Sequence, residues 1–578
     1  MPTTSFAEEE TVDVTFNDKD LYETVWAEFD EIVQGWDNNT LTLTFNKDDL
    51  ENIKTFYDFK SSTITDITGL EKFTGLENLK LNNSRISDIS ALENLTNLKT
   101  LDLSNNKISD ISALRNLNNL QELNLYNTGR RDLSFSDKNQ ISDISSLKDL
   151  TNLKVLNISN NENIIDISSL ANLKNLEELS LSNNKIWDIS ALKDLNKLKV
   201  LKLDYNYIGN VESLENLTSL TLVDLHSNIG ITDISSLENL INLTYLNLYS
   251  NNIEDYSPLR NLINLTYLNL GNNSTNDISP LENLTNLTEL YLNNSMNLRK
   301  ISDISALEKL VNLTTLDLSS NFISDISVLE NKTNLTNLNL SYNEISDLSP
   351  LKNLTNLTNL NLEYNQITDI SSLKNLTNLT KLNIGINKIS DINVLTNLTN
   401  LKDLRLFYNK IRNLSPLDNM QLERIDSEKA YYEFWDCPSN TTYATNPDGT
   451  VTVKIIASED LQMVDGWEIS SDGKSLTKTY SSNTKEIIRV VNTEGIAVEV
   501  EINVDSIGAD EENTDGENTD EKNYTEEINE DEGEAKKDNT QSDKPIPNTG
   551  KFVSPLIIVV LAIFVINRKK MNKMKNIK

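Results

Sequence analysis

A solenoid of short parallel strands is predicted for most of this chain by three observations. A phrase of the form I-x-D-I-x-x-L returns with its Asp or Asn at 66, 88, 110, 143, 166, 188, 210, 233, 255, 277, 303, 325, 347, 369, 391 and 413, and eleven of those fifteen intervals are 22 residues. Between successive phrases stands L-x-x-L-x-L-x-x-N, as in Leu98, Leu101, Leu103 and Asn106, or Leu357, Leu360, Leu362 and Asn365. One such unit cannot bury its own leucines, whereas stacked units make a continuous apolar column in which each touches only its neighbours.

The spacing is that of a leucine-rich repeat, with about fifteen 22-residue coils in residues 61–430. The L-x-L segment alternates with period two, so each coil contributes a short strand to a parallel β-sheet on the concave face. At roughly 4.8 Å per strand, fifteen strands make a surface about 70 Å long. The Asn of each coil sits where the chain turns inward, and a buried amide there must be paired, which predicts a ladder of side-chain bonds to neighbouring coils. Ser84, Thr128 and Ser295 replace it in three coils. Two of these precede irregular intervals of 33 and 26 residues, so the ladder is expected to weaken there. The larger insertion, 127–140, carries Arg130, Arg131 and Phe135 and reads as a surface loop. Runs such as Asn94-Leu95-Thr96 fit a glycosylation pattern but follow from the repeat phrase, and they carry no functional weight.

The open end of such a stack needs a lid. Residues 8–60 lack the period, and Phe16, Leu21, Tyr22, Val25, Trp26, Phe29 and Ile32 suit an amphipathic helix beginning after Asn17 or Asp18, so a helical cap is predicted with Trp26 and Trp36 in the lid. Beyond the repeats, 431–508 changes to period-two alternation broken at Pro447-Asp448-Gly449, Ser471-Asp472-Gly473 and Glu494-Gly495, which predicts a small β-sandwich with Trp467 in its core. Residues 509–544 hold fifteen Asp and Glu against four Lys and read as an acidic, disordered, self-repelling spacer. The end, 546–578, has the pentapeptide Ile546-Pro547-Asn548-Thr549-Gly550, an uncharged apolar run 552–566 and a basic tail from Arg568. Fifteen helical residues span about 22 Å, short of a bilayer core of roughly 30 Å, and the basic tail belongs on the cytoplasmic side. Thr4-Ser5-Phe6-Ala7 followed by three glutamates reads as the cleavage end of a secretion signal, so 1–7 are expected to be its remnant.

Composition narrows the function. Lys and Arg number 52 against 87 Asp and Glu, a net charge of −35, and such a field repels phosphate backbones, so nucleic acid is set aside. One cysteine, Cys437, cannot form an intrachain disulfide, and one histidine, His226, leaves no partner for the common zinc sites or for a Ser/His/Asp or Cys/His machine within the chain. No catalytic residue, cofactor or metal ligand is therefore assigned, although His226 beside Asp224 has the chemistry to titrate or hold a metal. Binding is the leading reading. The middle residues of L-x-L are mostly small and polar, and against them Tyr245, Tyr249, Tyr267 and Tyr291, with His226 one coil earlier, form the candidate binding patch, since Tyr offers large contact area with few rotors. A carboxylate-based wall hydrolase is the alternative, weakened because Asp102, Asp224 and Asp317 lie several coils apart while a glycosidase pair needs roughly 5 to 10 Å. A membrane-tethered or cytosolic repeat scaffold is a third reading.

The order of repeats, β-region, acidic spacer, pentapeptide, apolar run and basic tail resembles a Gram-positive surface protein attached to peptidoglycan by a sortase. Ile546 to Gly550 looks like the L-P-x-T-G sorting motif with Ile for Leu, and that resemblance implies cleavage between Thr549 and Gly550, covalent attachment at Thr549 and only transient membrane retention through 552–566. The repeats with I-S-D-I-S-x-L, including Ile86 to Leu92 and Ile108 to Leu114, resemble those of the internalin family, and the following β-region is similar to the immunoglobulin-like modules that flank such arrays. The resemblance implies a cell-surface protein whose partner is a protein of a host or neighbouring cell.

Overall fold

The computed structural model describes residues 10–58, 63–128, 138–295, 300–427, 440–457, 460–491 and 497–504. It divides into two compact units, Met1–Ser439 and Asn440–Lys578. The secretion remnant, the 129–137 part of the large insertion with Arg130, Arg131 and Phe135, the acidic spacer and everything from Ile546 onward lie outside the described residues.

The first unit opens with β1 (Thr11–Thr15), α1 (Lys19–Phe29), β2 (Val33–Asp37), β3 (Thr42–Asn46) and α2 (Lys47–Asn52). The helix begins where the sequence places it: the Asp18 carboxylate accepts the Leu21 N–H at 3.0 Å, satisfying a donor of the first turn. The other Asp18 oxygen accepts the Thr65 N–H at 2.8 Å and so ties the cap to the first coil. The cap is nevertheless not simply helical. Its strands form an antiparallel sheet in the order β1-β3-β2, because Val14, Leu43 and Phe45 recur at period two and are buried on one face. Trp26 and Trp36 do not belong to the lid's core; they are 42% and 64% exposed, and Phe16, Leu21, Tyr22, Val25 and Phe45 fill it instead. Phe45 meets Phe73 of the first coil edge to face at 5.9 Å.

Seventeen three-residue parallel strands follow, from β4 (Thr55–Tyr57) to β20 (Arg424–Asp426). They pair in chain order with leucine beside leucine, as in Leu101↔Leu123 and Leu360↔Leu382, so every strand turns the same side chain inward. The described ladders run only between consecutive strands and leave β4 and β20 as the two ends of the sheet. Both end strands lie outside the fifteen copies of the phrase. In β4, Phe56 takes the place of the first strand leucine and Asp58 that of the second.

The expected asparagine ladder is present. Asn365 donates to the carbonyls of Leu340 and Leu362 at 2.9 and 3.1 Å and accepts the Ile345 N–H at 3.0 Å. Asn106, Asn228 and Asn343 repeat this set of bonds in their own coils. The expectation that the ladder weakens at the 33-residue interval is corrected: Asn139, at the far end of the insertion, takes the vacated rung, accepting the Ile108 N–H at 2.9 Å and donating to Leu103 O at 3.1 Å. In the coil with Ser295 the Lys300 amine reaches the carbonyls of Asn294 and Ser320. A second ladder, unread in the sequence, runs through the phrase N-L-T-N-L. Asn97 donates to Thr74 O, Asn119 to Thr96 O and Asn356 to Thr333 O, each at 2.9 Å, so the second Asn of that phrase is structural. The Asp of each I-x-D-I-x-x-L phrase accepts the backbone N–H two residues on, as Asp88 does from Ser90 at 2.8 Å, and starts the 3-10 turn that follows.

One core position breaks the pattern. Lys332 replaces the leucine of N-L-T-N-L and is fully buried, its ammonium donating to Leu307 O at 2.7 Å and Glu308 O at 3.3 Å. Burial pushes this amine down to about 8.

In the second unit Asn440–Thr445, Val451–Ile456, Glu468–Ile469 and Ser475–Tyr480 form a four-stranded antiparallel sheet, and Thr484–Val491 pairs with Ala497–Val504. Gly449 and Gly473 supply the positive φ, 79° and 72°, that two of the expected turns require. Trp467 is buried there, with the Tyr480 ring edge-on at 6.3 Å. Among the described residues no helix is long and apolar enough to cross a membrane.

Candidate functional site

The sheet's solvent side is organised in rows because each strand is in register with the next. The row after the first strand leucine runs through Asp102, Asn124, Asn157, Lys202, Asp224, Asn247 and onward, and these side chains mostly satisfy their own coil: Asp102 accepts the Ser104 N–H and hydroxyl at 3.0 and 2.7 Å, and Asp317 does the same with Ser319 at 2.9 and 2.6 Å. The result is a polar wall in which Asp102 and Asp317 are paired within their own coils.

Tyr291 stands in this row, and Tyr245 and Tyr267 stand beside it in the row before the first strand leucine. The latter two are register partners on adjacent strands, with ring centroids 4.2 Å apart and planes within 9° of parallel. Tyr291 is brought against them at 5.5 Å and 43°, but from a different row: Tyr267 pairs with Glu289, and Tyr291 with Asn269. Its hydroxyl donates to Glu289 Oε2 at 2.9 Å. All three rings are half-buried. Burial first, and then the neighbouring phenol or carboxylate, holds the hydroxyls of Tyr245 and Tyr291 well above the ordinary tyrosine range, so these two stay protonated at physiological pH. Tyr249 stands apart, two residues beyond the strand, its hydroxyl accepting from Asn272 at 2.8 Å. From Tyr291 a groove of about 340 Å³ continues past Asp317, Asn339, Asn361, Lys381 and Arg405.

His226 lies between two carboxylates rather than beside one. Its Nδ1 is 2.7 Å from Asp224 Oδ1 and its Nε2 is 4.0 Å from Asp204 Oδ2. Burial opposes the imidazolium, but the hydrogen bond and charge of Asp224, with the charge of Asp204, outweigh it and raise the imidazole above the usual histidine range. Burial also raises Asp204, whose carboxylate accepts from the Ser182 hydroxyl. The expectation that acids on this face lie several coils apart therefore fails at Asp204 and Asp224. It considered only the residue between the strand leucines, whereas Asp204 stands two residues later, in the row that also holds His226.

A further aromatic pair escaped the sequence reading: Tyr342 and Tyr364 stack at 5.0 Å and 14°. Both occupy the position before the ladder Asn, where most coils turn through a left-handed residue, φ 57° and 55° here. Asn fills that position in other coils, as at Asn105, because a bulky side chain is strained in it.

The repeats, registers and ladders agree with comparisons to known proteins. A family model described as two copies of leucine-rich repeats matches residues 96–138, 131–172, 174–218, 295–331 and 333–375. No curated protein matches. Among solved structures, an internalin, InlF, from Listeria monocytogenes is 34% identical over 68% of this chain and 95% of its own, with a TM-score of 0.45. A leucine-rich repeat protein from Leptospira interrogans is 26% identical over 65% of this chain and 97% of its own, with a TM-score of 0.57. The functional domain of InlJ from Listeria monocytogenes, which includes a cysteine ladder, is 21% identical over 85% of this chain and 98% of its own, with a TM-score of 0.53. The present chain has a single cysteine and builds its ladder from asparagine. The fold and its repeats define a leucine-rich repeat protein. Given its identity to InlF over nearly the whole of that chain, it is an internalin-like one.

Proposed function

We propose that this chain is a cell-surface adhesin-like protein: it binds a protein of a host or neighbouring cell through the concave face of its repeats, and a sortase joins it to peptidoglycan at Thr549. The observation that carries the binding half is the island of Tyr245, Tyr267 and Tyr291 on a mostly polar face, because interface energy concentrates in a few aromatic anchors surrounded by polar contacts. Leucine-rich repeat scaffolds are typically protein-interaction domains, and no enzyme family is indicated. The attachment half rests on Ile546 to Gly550 followed by the apolar run and basic tail, with the β-region as an immunoglobulin-like stalk and the acidic segment as a wall-spanning spacer.

Attachment is tested in the producing bacterium. Thr549→Ala removes the acyl donor and is expected to move the protein from the wall fraction to membrane and medium, while protease added to intact cells should digest the wild-type repeats. Covalent wall attachment that persists in the variant, or repeats that survive the protease on intact cells, contradicts the proposal.

A further inference from the structure

Two coils pair a face carboxylate with a serine two residues on, Asp102 with Ser104 and Asp317 with Ser319. At one place this arrangement is replaced. Histidine stands where Asp224 would find its serine, and the residue in register before that histidine is a third acid-chemistry group, Asp204, instead of the serine found there at 182. The substitution gathers a mixed nitrogen and oxygen donor set: one atom each from Asp204, Asp224 and His226 lies within 4.8 Å of the others, the single such His/Cys/Asp/Glu group among the described residues. All three side chains are largely shielded, with 14 to 20% of their surface exposed.

The ring is held as a ligand would be. Its Nδ1 faces Asp224 Oδ1 at 2.7 Å, and Asn247 donates to Asp224 Oδ2 at 3.3 Å and lies 3.2 Å from Nδ1. The Tyr205 ring closes one side edge-on at 4.8 Å. A carboxylate on Nδ1–H fixes the tautomer that leaves the Nε2 lone pair free, which is the arrangement around metal-bound histidines. That Nε2 stands 4.0 Å from Asp204 Oδ2, too far for a hydrogen bond. Two ligands at roughly 2.1 Å from one ion lie about 3.4 Å apart at the tetrahedral angle, so a closure of about half an ångström between these two side chains brings both onto a shared cation. Two carboxylates and a neutral imidazole also balance a divalent charge, and the imidazole selects an ion of borderline softness over calcium or magnesium. Lys202, the register neighbour of Asp224, is exposed.

We propose that Asp204 and His226 bind a divalent transition-metal ion such as zinc on the sheet face, with Asp224 positioning the imidazole and the remaining coordination positions open to water or to a group on a docked protein. The site is independent of which protein the tyrosine patch binds.

The test uses the full chain, stripped with chelator and titrated with zinc chloride at pH 7.5 by calorimetry, with calcium chloride as a parallel titrant. The acidic chain will hold zinc weakly elsewhere, so the reading is the difference between wild type and variants. Wild type is expected to bind one more zinc per chain than His226→Gln or Asp204→Asn, and Asp224→Asn should weaken that site about tenfold. Asp102→Asn should leave it unchanged, and calcium should not distinguish wild type from His226→Gln. Zinc should also raise the melting temperature of wild type and not of either ligand variant, which reports binding even if one variant is less stable. Equal zinc stoichiometry and affinity in wild type and both ligand variants, or no zinc-dependent melting shift in wild type, overturns the proposal. In that case the geometry is a histidinium held between two carboxylates and nothing more.

Discussion

Replacing Lys332 with leucine is expected to stabilise the repeat array by about 2 to 4 kcal/mol at pH 7, read as a higher urea midpoint. The size follows from linkage. The buried amine titrates near 8 against an ordinary lysine value of 10.5, and each unit of difference corresponds to about 1.4 kcal/mol. The sign follows from the direction. The folded state disfavours the charged amine, so the penalty is fully present below pH 8. It is relieved as pH rises from 8 toward 10.5, where the unfolded chain still holds the proton. Wild-type stability should therefore rise across pH 8 to 9.5 relative to Lys332→Leu, which lacks the group. Losing the two hydrogen bonds costs little, because Leu307 O already accepts the Leu310 N–H, the single bond that the equivalent Leu351 O makes to Leu354 in a coil with leucine at this position. Equal stability of the two proteins at pH 7 and a parallel pH dependence would show that Lys332 is solvated in solution.

Asn365→Ala should act in the opposite direction. It removes an acceptor from Ile345 N–H and a donor from two carbonyls within the buried column. Each buried group left unpaired costs roughly 1 to 3 kcal/mol, so a loss of about 3 kcal/mol is expected. Asn361→Ala lies four residues away on the sheet face, where its side chain only accepts the Glu363 N–H at 3.1 Å, and should stay within roughly 0.5 kcal/mol. Because each coil contacts only its neighbours, the loss should appear as local opening of coils near 345–365, measurable by amide exchange, as well as in the urea midpoint. Equal midpoints for the two variants would mean that the inward face is misassigned.

The sequence made the leucine column, the Asn365-type rungs and the Asp18 helix start legible, because each depends on a local spacing that the fold preserves. What it left hidden depends on registration between coils. Asn139 fills its rung from beyond the insertion, eleven residues past the Thr128 that stands at the expected position, and nothing within the coil announces this. Asp204 and His226 became neighbours only once the strands were aligned 22 residues apart, since attention had rested on the residues between strand leucines. The end strands Thr55–Tyr57 and Arg424–Asp426 lost the phrase because a terminal coil buries one flank differently: Phe56 and Ile425 stand where leucine repeats elsewhere, and Ile425 is 46% exposed. Trp26 and Trp36 were assigned by hydrophobicity alone; Trp26 falls on the exposed side of α1 and Trp36 on the exposed side of β2.

The tyrosine patch was legible as a departure from the polar row, but its geometry was not. Tyr291 belongs to that row whereas Tyr245 and Tyr267 come from the one before the strand leucine, and half-burial of all three rings means that their removal also touches stability. Binding through this face is tested most directly by the affinity of an identified protein partner for two variants of the full chain, each first shown by its melting curve to be folded. In one, Tyr245, Tyr267 and Tyr291 are changed to Ser; in the other, Asn339, Asn361 and Asn383 are changed to Ser on the same face. The tyrosine variant should bind at least thirtyfold more weakly than wild type, about 2 kcal/mol, and the asparagine variant within threefold of it. Equal affinity of the two variants would contradict binding through the aromatic island.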